Sequence, residues 1–366
     1  MKKIHVVIWT KAQLIKMAPI MKLFQDKNID YNYIFTGQHQ ETMWELQKNF
    51  WLKNPDIILH NWKDITGIIQ MLFWVLKILW KILFWKKEKV FGQKNTKWQI
   101  LLTHWDTFST ILWALMWKLA WMKVAHIESG LRSFNIFHPF PEELTRLWTF
   151  RLSDIYFTPW KWANKNLEKY KGEKIDTKYN SLLDSLKLAI KNEDKAKVEI
   201  PKEDYCIFTT HRFENIFKKE KFEKIIKYLE EIQKNIKVLF ILHPPTKKQL
   251  EKFDLMNRIK KMKNVELRPR YDYFDFNKLL YYSKYCITDW WSNQEECYYM
   301  WKPCLLLRNK TERTEWLNKN VIISKFDKNI ILDFIKNYKK YNFDFIKTDI
   351  SPSEIIVNYC LKFIKK

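Results

Sequence analysis

Short apolar segments alternate with helical stretches along most of the chain, and this alternation limits the fold more than any other feature. The strand candidates of the first half are "KKIHVVIW", "QILLTHWD" and "KVAHIES". Those of the second half are "YCIFTTHR", "KVLFILHP", "NVELRP", "YCITDW", "PCLLLRN" and "VIIS". Strands that alternate with helices form parallel sheets covered by helices. We therefore predict an α/β protein of two parallel-sheet domains, which suits a length of 366 residues.

Polar residues follow the predicted strands at their carboxyl ends. In open parallel sheets, ligands bind beyond these ends, so we predict one cleft between the two domains. Helix caps occur at the same places, and the pattern alone leaves a purely structural role open. The residues are Thr10, Asp106, Glu128, His211, Arg212, His243, Asp289 and Arg308.

The distribution of basic residues indicates the chemistry of the ligand. Most of the 65 basic residues are lysines, spread through helical stretches together with glutamates, so we expect no nucleic-acid partner despite a net charge of +24. Arginine recognises phosphate or carboxylate as a planar fork. Phosphate recognition or structural ion pairs are the two explanations for the arginines near strand ends, which are Arg132, Arg146, Arg212, Arg308 and Arg313.

Several other classes of protein are not indicated. Residues 68–85 are apolar but include Gln70, Lys77 and Lys81, which favours a buried or interfacial amphipathic helix over a membrane span, and membrane-surface contact is the alternative. The five cysteines form no C-x-x-C pair, so we expect a reducing cytoplasm. We find no P-loop and no zinc-ligand spacing, interpret His126 and His138 as structural, and expect neither metal nor cofactor.

Four longer motifs together carry a family resemblance. They are "HIESGLRSFNIFHPFPEELTR", "THRFEN", "TDWWSNQEE" and "KPCLLLRNKTERTE", and they occur in order between residues 126 and 315, within a resemblance that runs from residue 4 to about 325. This set resembles the bacterial UDP-N-acetylglucosamine 2-epimerases of the non-hydrolysing type. The resemblance implies two Rossmann-like domains facing across a cleft, as in B-type glycosyltransferases. The first domain would cover residues 1–175 with a returning C-terminal helix at 352–366, and the UDP-binding domain would cover residues 176–351.

The resemblance also implies a reaction and a set of site residues. Such enzymes eliminate UDP across C1–C2 of the sugar and add it back with the C2 proton on the opposite face, which requires an acid and a base. Asp106, Glu128 and Glu142 match the catalytic carboxylates, and we add His211 as a catalytic candidate. The residues expected to bind the nucleotide, phosphates or sugar are Thr10, Lys11, Lys16, Arg146, Arg212, Phe276, Trp290, Trp291, Ser292, Glu296 and Arg313.

The chain departs from the family pattern after its first strand. It reads Thr10-Lys11-Ala12-Gln13 where the family commonly reads Thr-Arg-Pro-Glu, which puts the phosphate geometry in doubt. Ser292 is displaced by two positions from the usual serine. A hydrolysing epimerase, a glycosyltransferase and a catalytically inactive UDP-sugar-binding protein are the alternatives. The UDP-sugar would be the substrate, and a homodimer is expected from the resemblance.

Tryptophan stands where the family has small residues. The chain has 19 Trp and only 5 Gly, whereas glycine usually makes up about 7% of a protein. In the loop "TDWWSNQEE", with Ser292 or Asn293 as expected N-cap, two tryptophans would fill the space that a diphosphate needs. In the tight turns we expect left-handed backbone, which costs a large side chain about 1 kcal/mol. We infer that UGA codons for glycine are written here as tryptophan; the alternative is a tryptophan-rich paralogue.

We predict UGA at the codons for Trp9, Trp105, Trp290, Trp291 and Trp301, and expect Trp113, Trp117, Trp121 and Trp316 to belong to the same set. Some genetic codes read UGA as tryptophan and others as glycine, so recoding would explain both the excess of tryptophan and the shortage of glycine. The nucleotide sequence of the gene decides the matter. UGG codons at the first five positions would contradict the inference of recoding.

Overall fold

A computed structural model describes residues 3–36, 40–59, 98–104, 121–134, 142–311, 316–342, 346 and 348–365, without the side chains of residues 40–42 and Glu142. The chain forms two compact units, Met1–Ser185 with Asp349–Lys366, and Leu186–Thr348. The domain limits expected from the resemblance stay a prediction. No helix among these residues could span a membrane, and residues 68–85 lie outside the described ranges.

The first unit contains a seven-stranded sheet in the order β3-β2-β1-β4-β5-β6-β7, with every neighbouring pair parallel. Residues of β1, β2 and β4 are buried throughout, as expected of parallel strands covered on both faces. The predicted strands β1, β4 and β5 are confirmed, and four further strands join them. The strands are β1 (Ile4–Ile8), β2 (Tyr31–Phe35), β3 (Ile57–Ile58), β4 (Ile100–His104), β5 (Lys123–Ile127), β6 (Ile155–Thr158) and β7 (Glu173–Asp176).

The second unit contains a six-stranded parallel sheet in the order β10-β9-β8-β11-β12-β13, and all six strands predicted for this half are present. Its core includes Phe208, Phe240 and Leu305 from the sheet and Ile226 and Leu229 from a covering helix. The predicted α/β class is therefore confirmed. The strands are β8 (Tyr205–Thr209), β9 (Lys237–Leu242), β10 (Val265–Pro269), β11 (Cys286–Thr288), β12 (Cys304–Leu306) and β13 (Val321–Ile323).

Helices connect the strands in both units. Those before β8 are α1 (Lys11–Asp26), α2 (Gln40–Asn49), α3 (Glu142–Leu152), α4 (Lys161–Lys165) and α5 (Leu182–Lys191). Those after β8 are α6 (Phe213–Ile216), α7 (Lys219–Ile232), α8 (Pro244–Lys252), α9 (Met256–Lys260), α10 (Tyr273–Tyr282), α11 (Trp291–Tyr299), α12 (Lys328–Asn337) and α13 (Pro352–Lys365). Because all strands of a sheet run in one direction, the loops that enter these helices meet at one edge of each sheet.

The C-terminal helix α13 belongs to the first unit. It packs against α1, and the ring of Tyr359 meets Phe157 of β6 edge-on with centroids 5.5 Å apart. The carboxylate of Asp184 accepts hydrogen bonds from the backbone N–H of Ser353 at 2.8 Å and from the Ser351 hydroxyl at 3.0 Å. These contacts fix the start of the helix against the end of the first unit.

Trp301 occupies a helix end that suits glycine. It follows the C-cap of α11 with φ of 51°, and its N–H donates to the Tyr298 carbonyl at 2.9 Å. The next N–H, from Lys302, donates to the Cys297 carbonyl at 2.8 Å. This pair of bonds is a Schellman motif, in which glycine is preferred because it lacks the Cβ that disfavours left-handed backbone.

Three more tryptophans have left-handed backbone. Trp51 ends α2 with the same two-bond motif and φ of 52°, while Trp98 and Trp121 have φ of 61° and 62°. The expectation of left-handed backbone is wrong, however, for three of the site tryptophans. Trp290 is extended with φ of −105°, and neither Trp9 nor Trp291 has a positive φ. At those three positions only the size of the side chain argues for glycine.

We predict that Trp98→Gly and Trp121→Gly each raise the free energy of unfolding by about 1 kcal/mol, because glycine removes the cost of left-handed backbone. The two side chains are 78% and 73% exposed, so little packing is lost. Urea unfolding measures the change.

Trp44→Gly is the matched control. Trp44 lies inside α2 without a positive φ and its ring meets Phe35 edge-on at 6.3 Å. Glycine inside a helix costs about 1 kcal/mol relative to alanine, so this variant should be less stable. A loss of stability in all three variants would contradict the interpretation that the left-handed backbone at Trp98 and Trp121 favours glycine.

Candidate functional site

Glu128 directly follows β5 and has left-handed backbone with φ of 60°. A residue other than glycine in this conformation costs about 1 kcal/mol or more, and such residues cluster at functional sites. The side chain is only 2% exposed. A buried carboxylate in a strained backbone position is therefore the first element of the candidate site.

Two basic side chains contact one oxygen of this carboxylate. Lys16 Nζ lies 2.6 Å from Glu128 Oε2, and His104 Nε2 lies 2.9 Å from the same atom. The three side chains are 4%, 2% and 0% exposed, in the order Lys16, Glu128, His104. Contact with positive or hydrogen-bonding partners is what permits a carboxylate to remain buried. The structure thus brings together α1, β4 and β5 at the carboxyl edge of the first sheet.

The start of α1 is fixed by a capping box. The hydroxyl of Thr10, the N-cap, accepts from Gln13 N–H, and Gln13 Oε1 accepts from Thr10 N–H and from Trp9 N–H at 2.8 Å. The amide nitrogen of Gln13 donates to the His104 carbonyl at 2.7 Å. Lys11 follows Thr10 as the first residue of α1 and is half-buried. Gln13, which departs from the family pattern, therefore links β1, α1 and β4 through its hydrogen bonds.

Arg146 lies on α3 and is 1% exposed. It donates to Glu143 Oε2 at 3.3 Å, and Arg132 Nε also pairs with Glu143. Burial acts to raise the pKa of Glu143, but the hydrogen bonds from Ser133 N–H and Arg132 outweigh burial and hold this pKa below its usual value. Glu143 is thereby kept ionised as the anchor of two arginines.

His126, which we predicted to be structural, lies inside β5. Its Nδ1 is 2.9 Å from the Ser129 hydroxyl. Burial, with a further contribution from His104, lowers the pKa of His126 to about 3. The imidazole is therefore neutral near pH 7, and its contacts support the turn that carries Glu128.

Asp289 organises the corresponding edge of the second sheet. This carboxylate follows β11, is fully buried, and accepts from the Thr210 hydroxyl at 2.6 Å and from the backbone N–H groups of His211 and Arg212 at 3.1 and 3.0 Å. Asn215 on α6 donates to it at 2.9 Å. The loop after β8 is therefore held to β11 by a single side chain, which places His211 and Arg212.

His211 stacks on His243, the residue that follows β9. The ring centroids are 4.0 Å apart and the planes differ by 8°. Burial, with contributions from Arg270 and Arg212, lowers the pKa of His211 to about 4. Burial, with contributions from His211 and Arg270, lowers the pKa of His243 to about 3. Both rings are neutral near pH 7 and can donate one proton or accept one.

The helix α11 begins beside this pair. Its N-cap is Trp290, so our prediction of Ser292 or Asn293 was wrong; Trp290 N–H donates to the Thr288 hydroxyl at 3.1 Å. The Trp290 ring lies 4.5 Å from His211, and Trp291 meets it edge-on at 6.2 Å. The first N–H groups of a helix bind anions. The two indole rings therefore stand at the place where an anion would approach.

The other predicted residues of the second unit are partly connected to α11. Ser292 lies in its first turn, and buried Glu296 accepts from Asn293 Nδ2 at 2.9 Å. Phe276 is half-buried on α10, and no ring contact joins it to His211 within the described part of the chain. Arg212 pairs with Glu214 at 3.0 Å.

Three predicted residues cannot be placed. Asp106 and Arg313 lie outside the described residues, and Glu142 is described only as the first residue of α3. His138 also lies outside these ranges. The structure adds one residue that the sequence interpretation missed, His104, the last residue of β4. The available signal was its position at a strand end, which we had assigned to Asp106 instead.

The stacked histidines predict a pH dependence of stability. Both pKa values lie below the ordinary value of about 6.5, so the unfolded chain binds more protons than the folded chain between about pH 6.5 and pH 4. The free energy of unfolding should fall as the pH falls through this window, by up to about 1.4 kcal/mol per pH unit for each histidine. His243→Gln should reduce this slope, measured by urea unfolding from pH 7 to pH 4.5.

Lys247→Gln, on α8 after His243, is the control that alters charge without removing an imidazole. Its slope should equal that of the parent protein. If the free energy of unfolding of His243→Gln also changes with pH as in the parent protein, His243 does not resist protonation in the folded state.

The chain matches one protein family along most of its length. The family model described as UDP-N-acetylglucosamine 2-epimerase matches residues 21–349. A UDP-N-acetylglucosamine 2-epimerase homolog of Methanococcus maripaludis is 34% identical over 352 residues, which cover 93% of this chain and 92% of that protein. The UDP-N-acetylglucosamine 2-epimerase of Methanocaldococcus jannaschii is 31% identical over 330 residues, which cover 86% and 85%.

Solved structures show the same fold. The M. jannaschii UDP-GlcNAc 2-epimerase in complex with UDP-GlcNAc and UDP has a TM-score of 0.81, 26% identity, and coverage of 99% of this chain and 100% of that chain. The Neisseria meningitidis enzyme bound to UDP-GlcNAc has a TM-score of 0.82 with the same identity and coverage. The predicted fold class, two Rossmann-like domains of the B-type glycosyltransferase-like kind, is thereby confirmed. Since the family model covers residues 21–349 and a relative is 34% identical along almost the whole length, the chain belongs to the UDP-N-acetylglucosamine 2-epimerase family.

Proposed function

We propose that the protein interconverts UDP-N-acetylglucosamine and UDP-N-acetylmannosamine without hydrolysis. The observation that carries this proposal is the buried contact of Glu128 with Lys16 and His104, which holds a carboxylate at the carboxyl edge of the first sheet. Relatives bearing the name UDP-N-acetylglucosamine 2-epimerase, two of them with UDP-GlcNAc bound in solved structures, support the substrate. A homodimer is part of the proposal.

The proposed reaction is an elimination followed by a re-addition. The C2–H bond breaks and its proton passes to a carboxylate, the electron pair forms a C1=C2 double bond, and the C1–O bond breaks as UDP leaves with its electrons. UDP then adds back to C1 while C2 receives a proton on the opposite face. We assign these proton transfers to the carboxylates Asp106, Glu128 and Glu142. The C2 proton is barely acidic, and loss of a leaving group makes its removal easier than direct abstraction and return.

The nucleotide is assigned to the second unit. The start of α11 offers N–H groups to the diphosphate, and His211 and Arg212 lie on the neighbouring loop held by Asp289. In the proposal Arg313 binds the phosphates, Phe276 lies against uracil, and Glu296 binds the nucleotide. Lys16, Arg146, Thr10 and Lys11 of the first unit are assigned to the phosphates and the sugar.

The indole rings at the start of α11 affect this proposal directly. Trp290 covers one face of His211 at 4.5 Å, and Trp291 stands at the first helical position. A diphosphate needs this space and the N–H groups beside it. The active protein is accordingly proposed to contain glycine at residues 9, 105, 290, 291 and 301, and assays use that glycine-restored form.

We expect the glycine-restored protein to interconvert the two UDP-sugars and to exchange solvent deuterium into C2. Glu128→Gln should lower kcat by about 10²–10⁴-fold, the usual contribution of a general acid or base. UDP affinity should change little, because the amide retains the size of the side chain. Nuclear magnetic resonance in deuterium oxide and titration calorimetry with UDP measure the two quantities.

Glu168→Gln, an exposed carboxylate of the same unit, is the control and should match the parent protein. Near-full turnover by Glu128→Gln would show that its carboxylate moves no proton. Free sugar and UDP accumulating together would identify a hydrolysing epimerase instead. UDP-sugar binding without any exchange or turnover would identify an inactive binding protein.

A further inference from the structure

We propose that His104, held in place by Gln13, is a positioning residue that fixes the carboxylate of Glu128 for proton transfer. This inference rests on the proposed function, because it gives Glu128 a role in moving a proton. It concerns two residues outside the expected set of catalytic carboxylates and nucleotide-binding groups. His104 acts through Glu128 and needs no contact with the sugar.

The contact between the imidazole and the carboxylate is short and shielded from water. His104 Nε2 lies 2.9 Å from Glu128 Oε2, and both side chains are at most 2% exposed. An ionised carboxylate has no proton to offer, so this close contact favours an imidazole that carries a proton on Nε2. Lys16 approaches the same oxygen at 2.6 Å. The hydrogen bond from Lys16 and the close contact with His104 on one oxygen restrict the rotation of the carboxylate more than Lys16 alone would.

The backbone of His104 is itself anchored from α1. Gln13 donates through its amide nitrogen to the His104 carbonyl at 2.7 Å and accepts through its amide oxygen from Trp9 N–H at 2.8 Å. Gln13 and Lys16 are three residues apart and thus share one face of the helix. A single helical turn therefore carries both the group that fixes the His104 backbone and the ammonium that pairs with Glu128.

The backbone of Glu128 explains why such support matters. With φ of 60°, this residue has a conformation that costs about 1 kcal/mol or more and persists only where surrounding contacts hold it. A misplacement of about 1 Å can reduce turnover about 10²-fold. Without His104, the carboxylate would keep Lys16 but lose the partner that comes from the neighbouring strand β4.

The test replaces His104 in the glycine-restored protein. His104→Phe keeps the approximate size and removes the donor, and should lower kcat by about 10- to 100-fold with UDP affinity unchanged. Loss of a polar partner that favours the ionised form raises the pKa of a carboxylate. The acidic limb of the kcat–pH profile should therefore move to higher pH. His104→Gln restores a donor at similar reach and should recover a large part of both effects.

Gln13→Met provides a second variant that leaves the imidazole intact. It removes the bond to the His104 carbonyl and should shift kcat in the same direction by a smaller factor. Lys187→Met removes the bond from Nζ to the Thr348 carbonyl at 2.7 Å and is the matched control for loss of a side-chain-to-backbone bond. Its kcat and pH profile should stay unchanged.

Three outcomes overturn the proposal. The first is parent-like turnover and an unmoved acidic limb in His104→Phe. The second is a loss of kcat that accompanies a lower melting temperature, with no shift of the limb and no recovery in His104→Gln, as a purely structural histidine would give. If His104→Phe does not fold, His104→Asn is measured in its place, because its shorter side chain withdraws the donor from Glu128. Parent-like kinetics of His104→Asn is the third outcome.

The proposed function fails separately from this inference. Glu128→Gln is assayed in the same series, and if that variant turns over normally, the base itself is wrongly assigned. If Glu128→Gln is inactive and His104→Phe is normal, only the positioning role is wrong.

Discussion

Buried carboxylates at the carboxyl edges of the two sheets hold the loops that carry the candidate site residues of each unit. Glu128 is held by Lys16 and His104, and Asp289 is held by a hydroxyl, two backbone N–H groups and Asn215. A carboxylate loses several kcal/mol of hydration on burial, so it persists only where donors surround it. The donors come from different strands and helices. Satisfying one carboxylate therefore fixes the relative positions of several loops.

The two carboxylates have different consequences for chemistry. The hydrogen bonds recorded for Asp289 come from a hydroxyl, an amide and backbone N–H groups of its own unit, with the His211 imidazole further away at 3.7 Å, and they hold the loop that places His211. Glu128 instead contacts an ammonium and an imidazole, both of which can exchange protons. Since the surroundings of Glu128 can respond to a change in its charge, this residue is better suited to accept and return a proton. Asp289 is better suited to hold a loop still.

β2 and β7 were missed because neither is a continuous apolar run. β2 reads "YNYIF", and its buried Asn32 is satisfied by His5 of β1, with Nδ2 and Nδ1 3.1 Å apart. A sequence pattern cannot show such a partner, which lies 27 residues away. β7 is an edge strand that is only partly buried, so it lacks an apolar run.

The sequence predicted site residues that lie at strand ends, where function requires a particular residue type. It did not predict residues whose contacts depend on a neighbouring strand or helix. Glu128 and Lys16 were expected as separate site residues, and the structure joins them directly. His104 was missed because its proposed role depends on Glu128, which directly follows the adjacent strand β5. The N-cap of α11 was misplaced because the Thr288 hydroxyl accepts the Trp290 N–H and starts the helix earlier than Ser292 would.

Of the three departures from the family pattern at residues 10–13, those at Lys11 and Gln13 have different consequences. An ionised glutamate at residue 13 could accept from Trp9 and Thr10 but could not donate to the His104 carbonyl, as Gln13 does at 2.7 Å. The amide therefore concerns the support of Glu128 and does not require a different substrate. Lys11 is the departure that bears on the ligand, because an ammonium offers a point charge where arginine offers a planar fork. If the phosphate geometry of this enzyme differs from that of its relatives, the difference begins at Lys11.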